Sequence, residues 1–132
     1  MIRHDVYLDI CDCSLTLFYN AKPHNTPEIM DALWNIGIPT IDYYEAERML
    51  MSGEPNEGLT FNNSIHKQSV VVIGHVSDLW ELIDTIEHEG RHLIQGICKR
   101  YNIDSNSEYA AYLEGKIFKH ILKDLIRNFE IK

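Results

Sequence analysis

The sequence predicts an α+β domain, with strands grouped early and two long helices closing the chain. Three observations carry this. Residues 5–11 and 14–20, DVYLDIC and SLTLFYN, alternate apolar and polar in the two-residue period of a half-buried strand. LTFNN and QSVVVIG, at 59–63 and 68–74, read as two more strands. From residue 79 onward the apolar spacing changes to the 3.6-residue period of helices, over about 79–101 and 107–129. The expectation is one minimal domain over residues 1–132, of antiparallel strands plus a helix bearing paired histidines and a C-terminal helix bearing a glutamate.

Each element has its own local signals. The first two strands flank a short polar turn and predict a hairpin. NTPEIMDALWNIGIP reads as a punctuated helix: Thr26 can cap it, Pro27 suits its first position, Gly37 its exit, and Pro39 blocks continuation. DYYEAERMLMSG predicts a second short helix ending before Gly53, and GEPNEG a loop. The unbroken run Val70 to Ile73 indicates a strand well covered by the fold. Asp78 and Glu81 stand in capping-box relation at the start of the next helix. On the last helix the predicted inner face is Ala111, Tyr112, Gly115, Phe118, Leu122, Leu125, Ile126 and Phe129.

Composition narrows the function. The chain is 45% hydrophobic and 24% charged, an ordinary globular balance. A net charge of −8 repels phosphate backbones and argues against general nucleic-acid binding. No run approaches the ~18 consecutive apolar residues of a membrane helix. MIRHDVYLDICDC lacks a long apolar core, so a cytoplasmic location is expected. Cys11, Cys13 and Cys98 are an odd number, read as reduced thiols; Cys11 and Cys13 would share one face of a strand.

The stretch TIEHEGRHLIQ, residues 85–95, carries the chemistry. An H-E-x-x-H pattern arises by chance in this composition roughly 0.03 times per shuffle, so its context decides. Counting about 100° per residue from Leu79, the apolar stripe holds Leu82, Ile83, Ile86, Gly90, Leu93, Ile94, Ile97 and Tyr101, while His88 and His92 fall near 180° and 220°. The histidines thus share a face that is not the core stripe. Imidazoles one turn apart can grip a single tetrahedral ion, and Glu89 beside them can take a proton from a bound water. The competing reading is a solvated helix face braced by Glu87 and Arg91. Gly90 inside the motif costs the helix about 1 kcal/mol against Ala.

A catalytic zinc needs a third protein ligand. The downstream candidates are Asp104, Glu108, Glu114 and His120. With the apolar face of the last helix taken to centre near 320° from residue 108, Glu108 falls at about 0°, inside it, Glu114 near 240°, at its edge, and His120 near 120°, away from it. A carboxylate among apolar residues is costly unless paired or metal-bound, which selects Glu108. Ala111 and Gly115 would let this helix approach the histidine helix closely. Against this, Ser105 to Glu108 is also S-x-x-E, in which Glu108 would merely close a capping box.

TIEHEGRHLIQ followed by SEYAAYLEG resembles the gluzincin arrangement, with H-E-x-x-H on one helix and a glutamate in an E-x-x-A context on the next. More closely it resembles small zinc-metallopeptidase-like proteins of phages and mobile elements, in which H-E-x-R-H precedes E-x-x-A-Y-L-x-G. VVVIGHVSDLWELIDTIEHEGRH is similar to that group too, so the likeness spans roughly residues 57–118. A more distant likeness is to the metallopeptidases that cleave phage repressors. The resemblance implies a zincin-like fold with Zn2+ on His88, His92 and Glu108, Glu89 as general base, and a protein or peptide substrate. It also implies that QSVVVIG borders the cleft, where an extended peptide could pair. A non-catalytic zinc-binding interaction module on the same scaffold is the alternative.

Secondary candidates are Tyr112, which could donate to an oxyanion, His75 at a strand exit, and Asp84 as a partner for the His88 ring. Each also fits an ordinary core or surface role. Lys116, Lys119, Lys123 and Arg127 form a basic strip that complements a helix C-terminus or meets a partner.

Overall fold

The computed structural model describes residues 1–53 and 58–130, and the side chains of all of these except 124 and 128–130. The element order is β1 (Ile2–Leu8), β2 (Cys13–Ala21), a 3-10 turn (Pro23–Asn25), α1 (Thr26–Ile36), α2 (Thr40–Ser52), β3 (Gly58–Asn63), β4 (Gln68–Gly74), α3 (Leu79–Arg100) and α4 (Glu108–Glu130). The predicted first hairpin forms, the two later strands also pair antiparallel, and the α+β expectation holds. The predicted loop 53–58 lies mostly outside the described residues, as does the side chain of Phe129.

The sheet is not purely antiparallel. Its order is β1-β2-β4-β3, and β2 pairs with β4 in parallel. Two hairpins placed side by side can join through either neighbour; here the inner strands β2 and β4 run the same way, with α1 and α2 connecting the hairpins. That crossover covers the second face of the sheet. Phe18, Val70 and Val72 point to α1 and α2, where they meet Ile29, Leu33, Ile36 and Ala46. Leu15, Leu17, Tyr19, Val71 and Ile73 point to the opposite face, against Leu82, Ile86, Leu93 and Ile97 of α3 and Leu113 and Ile117 of α4. The Val70–Ile73 run is apolar throughout because β4 is central and covered on both sides.

Helix ends correct three details. Thr26 is the first residue of α1 rather than its cap; its hydroxyl donates to Pro23 O at 2.6 Å, and Asn25 occupies the cap position. Gly37 and Gly53 end α1 and α2 in the left-handed region, at φ 72° and 73°. Asp78 caps α3 through the Glu81 N–H at 2.8 Å, but the Glu81 carboxylate accepts from Ser77 instead of closing a box with Asp78. Ser107 caps α4, accepting from Ala110 N at 3.1 Å, so the Ser105–Glu108 capping box does not form.

The largest correction is the buried stripe of α4. Ala110, Leu113, Ile117, Ile121 and Leu125 are buried, whereas Ala111, Tyr112 and Gly115 are exposed. The face is turned by about 100° from the predicted one, because four large aliphatic side chains at i, i+4 spacing outweigh a stripe built on Ala, Tyr and Gly. Close approach of the two last helices comes from the other partner. A Cβ on Gly90 of α3 would stand 1.8 Å from Cε1 of Phe118, so the glycine makes room for that ring. Among the described residues, no helix is long and apolar enough to cross a membrane.

Candidate functional site

Helical rotation places the motif side chains as the sequence implies. His88 and His92 stand one turn apart on the open face of α3, their rings 4.9 Å apart at 85°. The His88 side chain is 64% exposed. Glu89, about 100° further round the helix, turns toward the sheet and is buried. It lies under β3. Thr60 Oγ1 stands 2.8 Å from Glu89 Oε1 and 3.1 Å from the Glu89 backbone oxygen, with one proton to share between them. Oε2 lies 3.9 Å from Nε2 of His88. Gly58 permits this packing, since a Cβ there would come within 2.6 Å of both Glu89 Cγ and Val72 O. A buried carboxylate is costly without partners, and one hydroxyl plus a neighbouring imidazole is a sparse set.

These groups open onto one groove of about 430 Å³. Its floor is β3, from Gly58 to Asn62; one wall is His88, Glu89 and His92; the other is Asp42, Glu45, Ala46 and Met49 of α2. Because β3 is outermost, no described strand pairs with its second edge, and the groove follows that edge. The strand bordering the cleft is therefore β3, not the central strand QSVVVIG that the resemblance implied.

Glu108 does not join the histidines. It is exposed at the first turn of α4, on the side away from the buried stripe. Arg91 meeting Glu114 at 3.2 Å, and Gly90 meeting Phe118, fix the helix register. That register sets Glu108 opposite the last turn of α3, roughly 10 Å along the axis from His92. Glu114, predicted at the edge of the face, is the carboxylate that points toward α3, where it braces Arg91 and lines a second cleft with Asp84, Glu87 and His88. Among the described residues, no group of three His, Cys, Asp or Glu side chains is spaced to hold a metal ion. The imidazole pair has the chemistry of two zinc ligands, and a third donor must be brought to it.

The other expected residues lie elsewhere. Tyr112 is exposed beneath the Lys116 ammonium and does not line the groove. His75 follows the C-terminal end of β4, where its Nδ1 sits 2.8 Å from Asn20 Oδ1, and it does not line the groove. Asp104 accepts from Asn106 N in the α3–α4 loop, and His120 is exposed. Asp84 does stand beside His88, in the second cleft. The four basic residues of α4 are exposed.

No family model, curated protein or solved structure matches this chain. The site therefore rests on its own geometry. Sequence reasoning missed Thr60, Gly58 and the α2 wall. The wall had a local signal, because Asp42, Glu45, Ala46 and Met49 follow i, i+3, i+4, i+7 and so share one helix face. Thr60 had none, since only strand pairing brings residue 60 to residue 89.

Proposed function

We propose that this chain is a zinc-dependent peptidase on a zincin-like scaffold, acting on a peptide laid extended along β3. The observation that carries this reading is convergence: two imidazoles one turn apart and a buried carboxylate open onto one groove that follows the outer edge of β3. An edge strand offers unpaired N–H and C=O groups, which hold an extended peptide in register against the wall that bears the chemistry. His88 and His92 would hold the ion. The third donor would come from Asp42 or Glu45, the acids that line the same groove, in place of Glu108. When bound, zinc supplies a polarised carbonyl and a water of lowered pKa.

Glu89 does the proton work. Its Oε1 is anchored by Thr60, which leaves Oε2 directed toward His88 and the groove. From there it can accept a proton from the attacking water and return it to the leaving amine nitrogen. The close approach of Gly58 and the bond from the Thr60 hydroxyl limit rotation of the carboxylate, so its orientation is set before substrate arrives.

The deciding experiment is elemental analysis of chelator-free protein together with hydrolysis of a peptide library by wild type and Glu89→Gln. About one zinc per chain, with hydrolysis lost and zinc kept in the variant, supports the peptidase. A second reading, a non-catalytic zinc-binding interaction module that holds a peptide without hydrolysis, is favoured by one observation: Glu89 is packed and hydrogen-bonded like a structural group. That reading gains if peptides bind but neither protein cleaves them. Zinc-free protein with no uptake on titration removes the basis of both zinc readings.

A further inference from the structure

Helix α2 presents three sides. Counting about 100° per residue from Ile41, Ala46 and Leu50 fall near 140° and 180° and enter the cluster shared with α1 and the sheet. Asp42, Glu45 and Met49, near 100°, 40° and 80°, wall the groove. The outward side is a stripe of Ile41, Tyr44, Arg48 and Met51, with the last three near 300°, 340° and 280°. Ile41 is 76% exposed, Tyr44 63% and Met51 64%. Trp34 of α1, 72% exposed, extends the patch. Its ring meets Tyr43 edge-on at 5.7 Å, and Tyr43 meets Tyr44 in the same way at 5.7 Å.

A lone exposed apolar side chain is ordinary, but a contiguous group is not. Four large side chains this open present roughly 500 Å², near the top of what a monomer exposes. Residue order indicates what covers them, because the stripe is self-complementary when reversed. Ile41 and Met51 stand equally far before and after Ala46, as do Tyr44 and Arg48. A second copy of α2 laid antiparallel, with the two-fold axis level with Ala46, sets each Ile41 against Met51 of the other copy. It also sets each Tyr44 ring against an Arg48 guanidinium. The first pairing is apolar and the second cation–π, so both are favourable. A parallel pairing would oppose Arg48 to Arg48. Asp42, Glu45 and Glu47 lie to either side of the stripe rather than in it. A bilayer fits less well, since the stripe holds one cation and the chain's net charge of −8 repels anionic headgroups.

We infer that two copies of this chain associate through α2, antiparallel about Ala46, with Trp34 of each copy extending the interface. Two such patches bury roughly 1,000 Å², near the lower limit of a specific interface, so the dimer is a weak one. Asp42, Glu45 and Met49 face another side of the helix, so the dimer leaves both grooves open, whatever they hold.

The test is sedimentation velocity of the full chain from about 1 µM to 1 mM, a range suited to a weak interface. Wild type is expected to pass from the mass of one chain to twice that mass. Tyr44→Ala and Arg48→Ala should each raise the dimer Kd about tenfold or more, since buried Tyr and Arg dominate interfaces. Register is tested by Ile41→Lys and Met51→Glu, both at exposed positions and both checked for folding by circular dichroism. Each alone should be monomeric where wild type is dimeric. Mixed in equal amounts they should pair, because one contact becomes an ion pair and the other keeps the native Ile41 and Met51. A wild type that stays monomeric would overturn the inference, and its sedimentation with phosphatidylcholine–phosphatidylserine vesicles would assign the patch to a bilayer. A dimer that all four substitutions leave intact would place the interface elsewhere. A mixture no more associated than its components would refute the antiparallel register.

Discussion

The hydroxyl of Thr60, on the edge strand, stands 2.8 Å from the carboxylate of Glu89 on the motif helix, and the carboxylate's other oxygen lies 3.9 Å from His88. One hydrogen bond thus ties the sheet edge, where a peptide would lie, to the group that would move its proton. Thr60→Val keeps the shape and removes the donor. The variant should lose about 1–3 kcal/mol of stability, because a buried carboxylate is left short of a partner. Under the peptidase reading it should lower kcat more than it raises KM, and Thr60→Ser should restore both. Denaturant titration and steady-state kinetics check this; unchanged stability in Thr60→Val would show that the contact carries no weight.

Metal binding separates the carboxylates. His88→Ala and His92→Ala should each abolish zinc uptake, measured by competition with a chromogenic chelator. Asp42→Asn or Glu45→Gln should weaken it, since a neutral amide is a poorer ligand than a carboxylate. Glu108→Gln and Glu114→Gln should bind zinc as wild type does. Glu114 serves as a brace: its partner Arg91 is 41% exposed, so losing the pair should cost under about 1 kcal/mol. Loss of zinc in Glu108→Gln would restore the ligand set implied by the resemblance and refute the α2 donor.

Gly90 is expected to resist even alanine. Helix propensity favours the change by about 1 kcal/mol, but the new methyl would stand 1.8 Å from the Phe118 ring. Overpacking of this kind costs about 1–3 kcal/mol, so the net effect should be a lower Tm. Combining Gly90→Ala with Phe118→Leu should recover part of the loss. A double-mutant cycle that comes out additive would mean the two residues do not meet.

Acid stability should report on the β1–β2 turn. A hydrogen bond from Lys67, with a second from Tyr7, holds the Asp12 carboxyl below its ordinary range. A group depressed in the folded state contributes stability above its unfolded value of about 3.9, and that contribution disappears as pH falls through the lower folded value. Lys67→Met should therefore lower the Tm near neutral pH and converge with wild type in strong acid. Parallel Tm curves across the whole range would exclude the linkage.

Much of this molecule was determined by sequence alone because the signals are local. Strand alternation, the Gly37 and Gly53 exits and the Asp78 cap each act within a few residues, so the elements fall close to where they were expected. The shared face of His88 and His92, and the turn of Glu89 away from it, follow from helix geometry without any partner. What only tertiary structure decided was which of two faces α4 buries, which strands meet in parallel, and what stands across from the histidines. Glu108 and Glu114 exchange places because Leu113, Ile117, Ile121 and Leu125 bury more area against α3 and the sheet than Ala111, Tyr112 and Gly115 could. Thr60 reaches Glu89, and α2 walls the groove, through contacts between segments distant in the chain. Residue spacing has no term for those contacts; packing chooses them, and it chooses by area buried and by which backbones can approach.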